Sequence, residues 1–405
     1  GGLSTRPDTP HLENAGLYLA QVPGIDAMML GHMHTSFPGP RFKGMPGVDD
    51  VRGTVYGVPA VMGGFFGKDI GLIHLELDYR DGRWNSDAAA AHSEVRPICP
   101  HKNQCVAPDP EIAPLVGKVH QATINYVNTP IGRSDFRMSS FFADLGDMTA
   151  LAPVNAAQRD YVKHWIASDH PELAGIPVLS AAAAFRSGFG GPHDYTDVQA
   201  GPLTIRSAAD LYFYPNTLAA VKTDGAGLKA WLERAAGRFN RIDPAKPAPQ
   251  ALVNHHFSGY NFDQISGAGL HYVIDVSKPH GKRITSLTLD GKSVRADQPL
   301  IIVTNNYRAN GGGNFPGLDG KRTVLAAPDS NREILIRWLK KHPTLKRSEF
   351  DLDPWNFAPL KTRGPVTVES ASGKLELAHE DGLRGVTLLR DNGDGTSVYA
   401  IDLSR

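Results

Sequence analysis

Apolar and polar positions along this chain follow two periods, and the period changes partway. Residues 26–31, DAMMLG, form a short apolar run that predicts a buried strand. Residues 54–64, TVYGVPAVMGG, and 69–78, DIGLIHLELD, predict two more. In the second of these, Ile70, Leu72, His74 and Glu76 fall on one side, with Leu75 and Leu77 among those on the other. This strand-rich block reaches about residue 98. RPICPHKNQCVAPDPE, rich in proline, then reads as a boundary. After it, Ile112, Leu115, Val119, Ala122 and Tyr126 recur at helical spacing and predict a connecting helix over 111–127.

The rest alternates helices with strands. GLKAWLERAAGRF (227–239) puts Leu228, Trp231, Leu232, Ala235 and Ala236 on one face, with Asp224-Gly225 as a turn before it. Asp290-Gly291 in LTLDGKSV predicts a two-residue hairpin. PLIIVTNNY (299–307) reads as a fully apolar strand that turns polar at its end. DSNREILIRWLKK (329–341) reads as a helix capped by Asp329 or Ser330, with Ile334, Leu335, Trp338 and Leu339 on its apolar face. Residues 361–405 predict strands and turns, one of them at Asn392-Gly393-Asp394-Gly395. No internal repeat is visible. The mixture predicts α/β domains.

Length and charge narrow the function classes. A chain of 405 residues exceeds one ordinary core, so at least two domains are expected. With 41% hydrophobic and 21% charged residues it reads as globular. Lys+Arg and Asp+Glu are both 42, which argues against a nucleic-acid polymer as partner. No apolar run approaches the roughly 18 residues that a spanning helix needs. GGLSTRPDTPH is not a signal peptide and reads as the middle of a longer text. Cys99 and Cys105 allow a small-loop disulfide or two free thiols, and His101 between them reads as a solvated loop residue.

Three stretches carry candidate chemistry. In Gly31-His32-Met33-His34, extended backbone would send both imidazoles to one side, as metal ligands need. Two ordinary loop histidines are the alternative. His255-His256 would point to opposite faces and read as structural. In TNNYRANGGGNFPG (304–317), a strand end delivers an aromatic ring and glycines whose free backbone N–H groups could approach a ligand. A glycine turn that merely ends the strand is the alternative. In LYFYPNTLAAV (211–221), Tyr212, Phe213 and Tyr214 precede a Pro-Asn-Thr turn. They read as a strand of aromatics, or as a ring and the Asn216 amide suited to a base. Arg186 in AAAAFRSGFGG is an anion contact or a surface arginine.

VPGIDAMMLGHMHTSFPG, GVPAVMGGFFGKDIGLIHLELD, PVLSAAAAFRSG, LYFYPNTLAAVKTDGAGLKAWLE, YNFDQISG and VTNNYRANGGGNF occur in that order. Together they resemble the periplasmic 2′,3′-cyclic-nucleotide 2′-phosphodiesterase/3′-nucleotidases of the wider 5′-nucleotidase family. The resemblance implies part of a metallophosphoesterase domain over 1–98 and a linker with its helix over 99–128. It implies a nucleotide-binding domain with a terminal extension over 129–405.

By the same resemblance, His32 and His34 ligate a centre of two divalent ions such as Mn, Zn, Co or Fe. Tyr214 and Tyr307 sandwich the base, with Asn216 beside it. Tyr307, Arg308, Ala309, Asn310, Gly311, Gly312 and Gly313 line the pocket, and Arg186 carries over at a position where the family varies. The family's remaining ligands and its catalytic histidine are expected upstream of residue 1, since GGLST resembles the stretch after a ligand histidine. The isolated chain is then expected to be inactive, with an exposed sheet edge in 1–98. The implied reaction is metal-dependent hydrolysis of 2′,3′-cyclic nucleotides and 3′-nucleotides in the periplasm. A 5′-nucleotidase or nucleotide-sugar hydrolase is one rival, and a non-catalytic nucleotide-binding protein another.

Overall fold

The computed structural model describes residues 1–5, 12–101, 104–259 and 261–404. Residues 6–11 of the opening stretch, 102–103 of the cysteine loop and Tyr260 of YNFDQISG lie outside the described residues. The chain divides into two compact units, Gly1–Lys118 and Val119–Arg405.

The first unit is built on short strands. β1 (Met28–Met29) runs parallel to β2 (Val58–Gly63), with Met28 opposite Ala60. β3 (Asp69–His74) and β4 (His92–Pro97) make a separate antiparallel pair. The core is small, with Leu3, Met28, Phe37, Phe42, Val55 and Met62 among its members. Three expectations fail here. The strand over 54–64 is a hairpin, Thr54–Val55 pairing antiparallel with Val58–Gly63. The buried strand over 26–31 shrinks to two residues, and Met29 is 90% exposed, because β1 sits at the sheet edge with one face uncovered. The strand over 69–78 breaks after His74, and the chain resumes as a hairpin of Leu77–Arg80 with Arg83–Ser86. Cys99 and Cys105 form a disulfide.

α1 (Ile112–Val127) follows, started by Asp109, whose side chain accepts from the backbone N–H groups of Glu111 and Ile112. Its apolar stripe is exposed at Ile112, Leu115, Val119 and Tyr126, so the helical spacing here does not mark a buried face.

The second unit carries the larger core. Its helices include α2 (Ala152–Asp169), α3 (Ile205–Leu211), α4 (Gly225–Ala235), α5 (Asn306–Ala309) and α6 (Asn331–Lys341). Its main strands are β5 (Val178–Ala182), β6 (Thr217–Asp224), β7 (Gln264–Ser266), β8 (Pro299–Asn305) and β9 (Thr323–Ser330). These form one sheet in the order β7-β5-β8-β6-β9, with β5 and β8 parallel and the other pairs antiparallel.

The sheet is covered on both faces. Leu300 and Ile302 of β8 enter one hydrophobic cluster, and Ile301 and Val303 enter the other. That is why β8 reads as a continuous apolar run rather than an alternating one. Helix starts follow capping chemistry. Asp224 accepts from Gly227 N–H at the head of α4, and Ser330 with Glu333 forms a capping box on α6. Asp290-Gly291 makes the expected hairpin, both residues at positive φ, with Leu289 opposite Lys292. Residues 361–405 contribute Val366–Ala371, Val386–Asp391 and Thr396–Ile401 to a second sheet, turned at Asn392–Gly395.

Candidate functional site

The register of the five-stranded sheet gathers the sequence-predicted residues at one end. Leu218 of β6 pairs with Asn305 of β8, so Tyr214 and Asn216, just before β6, and Tyr307, just after β8, leave neighbouring strands at the same edge. β5 is parallel to β8 and ends there too, which brings the segment from Phe185 to Arg186 to this edge. β7 begins there, after Asp263, and β9 ends there, before Asn331. Ligands of open α/β sheets bind beyond strand ends of this kind.

Tyr214 is half-buried, held edge-on by Phe185 at 5.0 Å and by Phe213 at 5.2 Å. Burial raises its phenol pKa, and the Asp194 carboxylate raises it further. The run from Tyr212 to Tyr214 is not a strand. It follows α3 directly, and Arg332 pins it by donating to the Tyr212 carbonyl at 3.0 Å and to that of Phe213.

Tyr307 lies in the first turn of α5 and is 38% exposed. Asn305 caps that helix, accepting from Arg308 N–H at 2.8 Å. The ring lies so close over Gly312 that a Cβ there would stand 2.3 Å from it. Glycine at 312 is therefore a space requirement, while Gly311 and Gly313 sit at positive φ.

The glycine loop corrects one expectation. Its N–H groups are not a free run, because Gly311 donates to Arg308 O, Gly312 to Tyr307 O and Asn314 to Gly311 O. Its carbonyls are held from inside, Gly312 O by Arg308 at 2.5 Å and Gly313 O by Arg234 at 2.8 Å. Arg308 is buried, paired with Asp263 at 2.8 Å and lying over the Phe315 ring at 4.0 Å. Asp263 also accepts from Trp231 Nε1 at 2.8 Å. Arg308, Ala309 and Gly313, expected at the lining, thus turn inward and support the loop. Asn310 is exposed, and Gly311 and Gly312 are half-buried.

Arg186 donates to His193 O at 2.9 Å and stands between Asp194 (3.6 Å) and Asp210 (3.8 Å), so two carboxylates already balance its charge. Asp210 is raised by burial, against the pull of Arg186.

The histidine motif is not extended. His32 has φ 72° and His34 φ 51°, so the same-side argument from strand geometry does not apply. Holding two non-glycine residues in this region costs on the order of 1 kcal/mol each, the kind of strain found at functional loops. His32 Nε2 stands 3.4 Å from Glu13, and the His34 ring stacks on Phe65 at 5.2 Å. Among the described residues no group of three or more His, Cys, Asp or Glu side chains could hold a metal ion. His32 and His34 therefore offer two donors and do not by themselves fit a two-ion centre.

A polar network below the aromatic residues carried no sequence signal. Asn331 Nδ2 donates to the Tyr212 hydroxyl at 3.1 Å, and Gln158 Nε2 donates to Asn331 Oδ1 at 3.0 Å. Ser180 Oγ donates to Gln158 Oε1 at 2.6 Å. These residues lie on separate helices and strands, and only the packed sheet brings them together.

Residues 132–320 match the family model of the 5′-nucleotidase C-terminal domain. The chain is 38% identical over 433 aligned positions to a 2′,3′-cyclic-nucleotide 2′-phosphodiesterase/3′-nucleotidase of Salmonella typhimurium, covering 100% of this chain and 65% of that protein. It is 38% identical to the protein of the same name from Haemophilus influenzae, covering 64% of it. It is 35% identical over 91% of its length to the trifunctional nucleotide phosphoesterase YfkN of Bacillus subtilis, 25% of which is covered. The chain thus spans about 65% of the length of the first of these relatives. A solved Staphylococcus aureus structure, provisionally described as a 5′-nucleotidase in complex with alpha-ketoglutarate, shares the fold. Its TM-score is 0.55 at 19% identity, over 85% of this chain and 59% of that one.

Proposed function

We propose, from the premise that this chain belongs to the 5′-nucleotidase family, that its second unit holds the base of a nucleotide between Tyr214 and Tyr307. The enzyme it forms hydrolyses 2′,3′-cyclic nucleotides and 3′-nucleotides to nucleosides and phosphate. The observation that carries this reading is the register of β6 with β8, which delivers two aromatic rings from neighbouring strands to one edge of a doubly covered sheet. An aromatic face stacks on any base, at roughly 1–3 kcal/mol per base. Asn216, Asn310, Gly311 and Gly312 supply polar contacts around it. Arg308, Ala309 and Gly313 shape the loop from behind, and Arg186 orders the segment after β5.

The reaction proceeds as two hydrolyses. Water first opens the cyclic diester at its 2′ P–O bond and then releases phosphate from the 3′ oxygen. In the family's chemistry divalent ions such as Mn, Zn, Co or Fe activate that water. His32 and His34 are two donors towards such a centre. The chain's described residues hold no complete donor set, so no catalytic step is assigned to it alone, and the isolated chain is expected to turn over poorly.

The disulfide Cys99–Cys105 supports an oxidising compartment such as the periplasm. Among the described residues no helix is long and apolar enough to cross a membrane.

The test is calorimetric titration of adenosine and 3′-AMP into the folded chain. Saturable binding that Tyr307→Ala weakens at least tenfold is expected. A folded chain that binds neither ligand would overturn the reading.

A further inference from the structure

Tyr214 and Tyr307 are set in place by different means. The Tyr307 ring lies on backbone, over Gly312. The Tyr214 ring meets other rings. Phe213 stands at 5.2 Å and Phe185 at 5.0 Å, each at 86° to its plane. Perpendicular rings at this separation attract, because the positive edge of one meets the negative face of the other.

The two neighbours are not equivalent. Phe213 precedes Tyr214 in the chain, and Arg332 holds its carbonyl together with that of Tyr212. Those bonds fix the backbone and leave the Tyr214 side chain to choose among its rotamers. Phe185 comes from another segment, just past the end of β5. It is anchored on its far side, where its ring meets Tyr212 at 5.1 Å and 81°, and Tyr212 is 2% exposed. It also packs against the hydrophobic cluster on one face of the sheet. The next residue is clamped. The buried Ser140 donates its hydroxyl to the Arg186 carbonyl and accepts from Thr196 N–H at 2.8 Å. Phe185 is therefore a wedge between a buried tyrosine and a half-buried one, at the end of a covered strand.

We propose that Phe185 is a positioning residue that sets the plane of the Tyr214 ring, an inference that rests on the nucleoside-binding reading above. It acts through Tyr214 and not by touching the ligand. Without a ring at 185, Tyr214 keeps its backbone course and loses its partner from β5. The side chain then occupies its stacking rotamer only part of the time, and the apparent affinity falls by that fraction.

The experiment measures adenosine affinity by calorimetry, together with the melting temperature, for the chain and a set of variants. Phe185→Leu and Phe185→Met remove the ring and keep apolar volume. Each should weaken adenosine about five- to tenfold, and the second serves if the first does not fold. Phe185→Tyr keeps a ring and should bind within about twofold of the parent chain. Val162→Ala opens the same cluster on α2, where Val162 is buried, and should lower the melting temperature with no more than about a twofold change in affinity. Tyr214→Ala is the reference for the site and should weaken binding at least tenfold. Adding Phe185→Leu to Tyr214→Ala should cost no more than about a further twofold, because the ring through which Phe185 acts is gone.

The positioning role is overturned, and the site reading stands, if Tyr214→Ala weakens binding and any of three results accompanies it. Phe185→Leu and Phe185→Met bind like the parent chain, Phe185→Tyr binds no better than Phe185→Leu, or Phe185→Leu costs as much without Tyr214 as with it. If Tyr214→Ala binds like the parent chain, the site reading fails and takes the positioning role with it.

Discussion

The loop after β1 and the loop after β8 both leave a strand and turn polar, yet their side chains end in opposite circumstances. His32 and His34 are exposed, in left-handed backbone, with a carboxylate at 3.4 Å from one and a phenyl ring stacked on the other. After β8, Arg308 is buried against Asp263, the glycine carbonyls are held by two arginines, and Tyr307 is left at the surface over Gly312. The difference traces to the strands beneath. β1 is a two-residue edge strand with one face uncovered, while β8 lies in the middle of a sheet covered on both sides. A central covered strand can support its outgoing loop with buried charge pairs and capped helices. An edge strand supplies no such floor.

The comparison can be broken most severely at Asp263. Asp263→Ala leaves the Arg308 guanidinium buried without its counter-charge and Trp231 Nε1 without its acceptor. A loss of about 3–5 kcal/mol is expected in denaturant unfolding of the second unit. A loss below about 1 kcal/mol would mean that the loop is not held from inside.

Acidity offers a second test of how tightly the second unit is packed. Asp147 is buried, and burial first, then the Asp381 charge, pushes its carboxyl up to about 6. The ionised form is thus the disfavoured one in the fold. The destabilising contribution is present above about pH 6 and is relieved as pH falls towards the ordinary value near 4. Stability should rise over that window by on the order of 2 kcal/mol relative to Asp147→Asn, which should lack this component. Parallel pH profiles for the two proteins would refute the assignment.

Gly312→Ala sharpens the contrast at the site. The added Cβ displaces the Tyr307 ring without any left-handed backbone to strain. Adenosine affinity should fall about tenfold, with a stability change of about 1 kcal/mol or less. Unchanged affinity would detach the ring from the site.

The smallest expected effect is in the histidine loop. His34→Gly relieves the left-handed backbone at the cost of the Phe65 stack, so thermal unfolding should show stabilisation of up to about 1 kcal/mol or no change. Adenosine binding should not move. A clear destabilisation would show that His34 carries packing energy, and the two loops would then be less different than drawn.

Much of this was written along the chain. The period of 227–239 and 329–341 announced two helices, and Asp329 or Ser330 announced the start of the second, because capping needs only a short polar side chain at one position, whereas Asp224-Gly225, read as a turn, is the cap and first residue of the other. Asp290-Gly291 announced its hairpin, since few residue pairs accept two positive φ angles. The continuous apolar run of β8 announced a strand covered on both faces, and the order of motifs pointed to a nucleotidase family.

What only the tertiary structure decided are relations between distant residues. The joining of Cys99 with Cys105 depended on the two sulfurs meeting in the fold, which spacing left open. The exposure of α1's stripe and of Met29 depended on what lies against them, and periodicity does not record a neighbour. The inward turn of Arg308 depended on Asp263, forty-five positions earlier, and the meeting of Asn331 with Tyr212 and Gln158 depended on how separate helices and strands pack. Local propensity and capping act over a few residues and can be read in order. Register, burial and charge pairing act across the fold, and no stretch of sequence contains both partners.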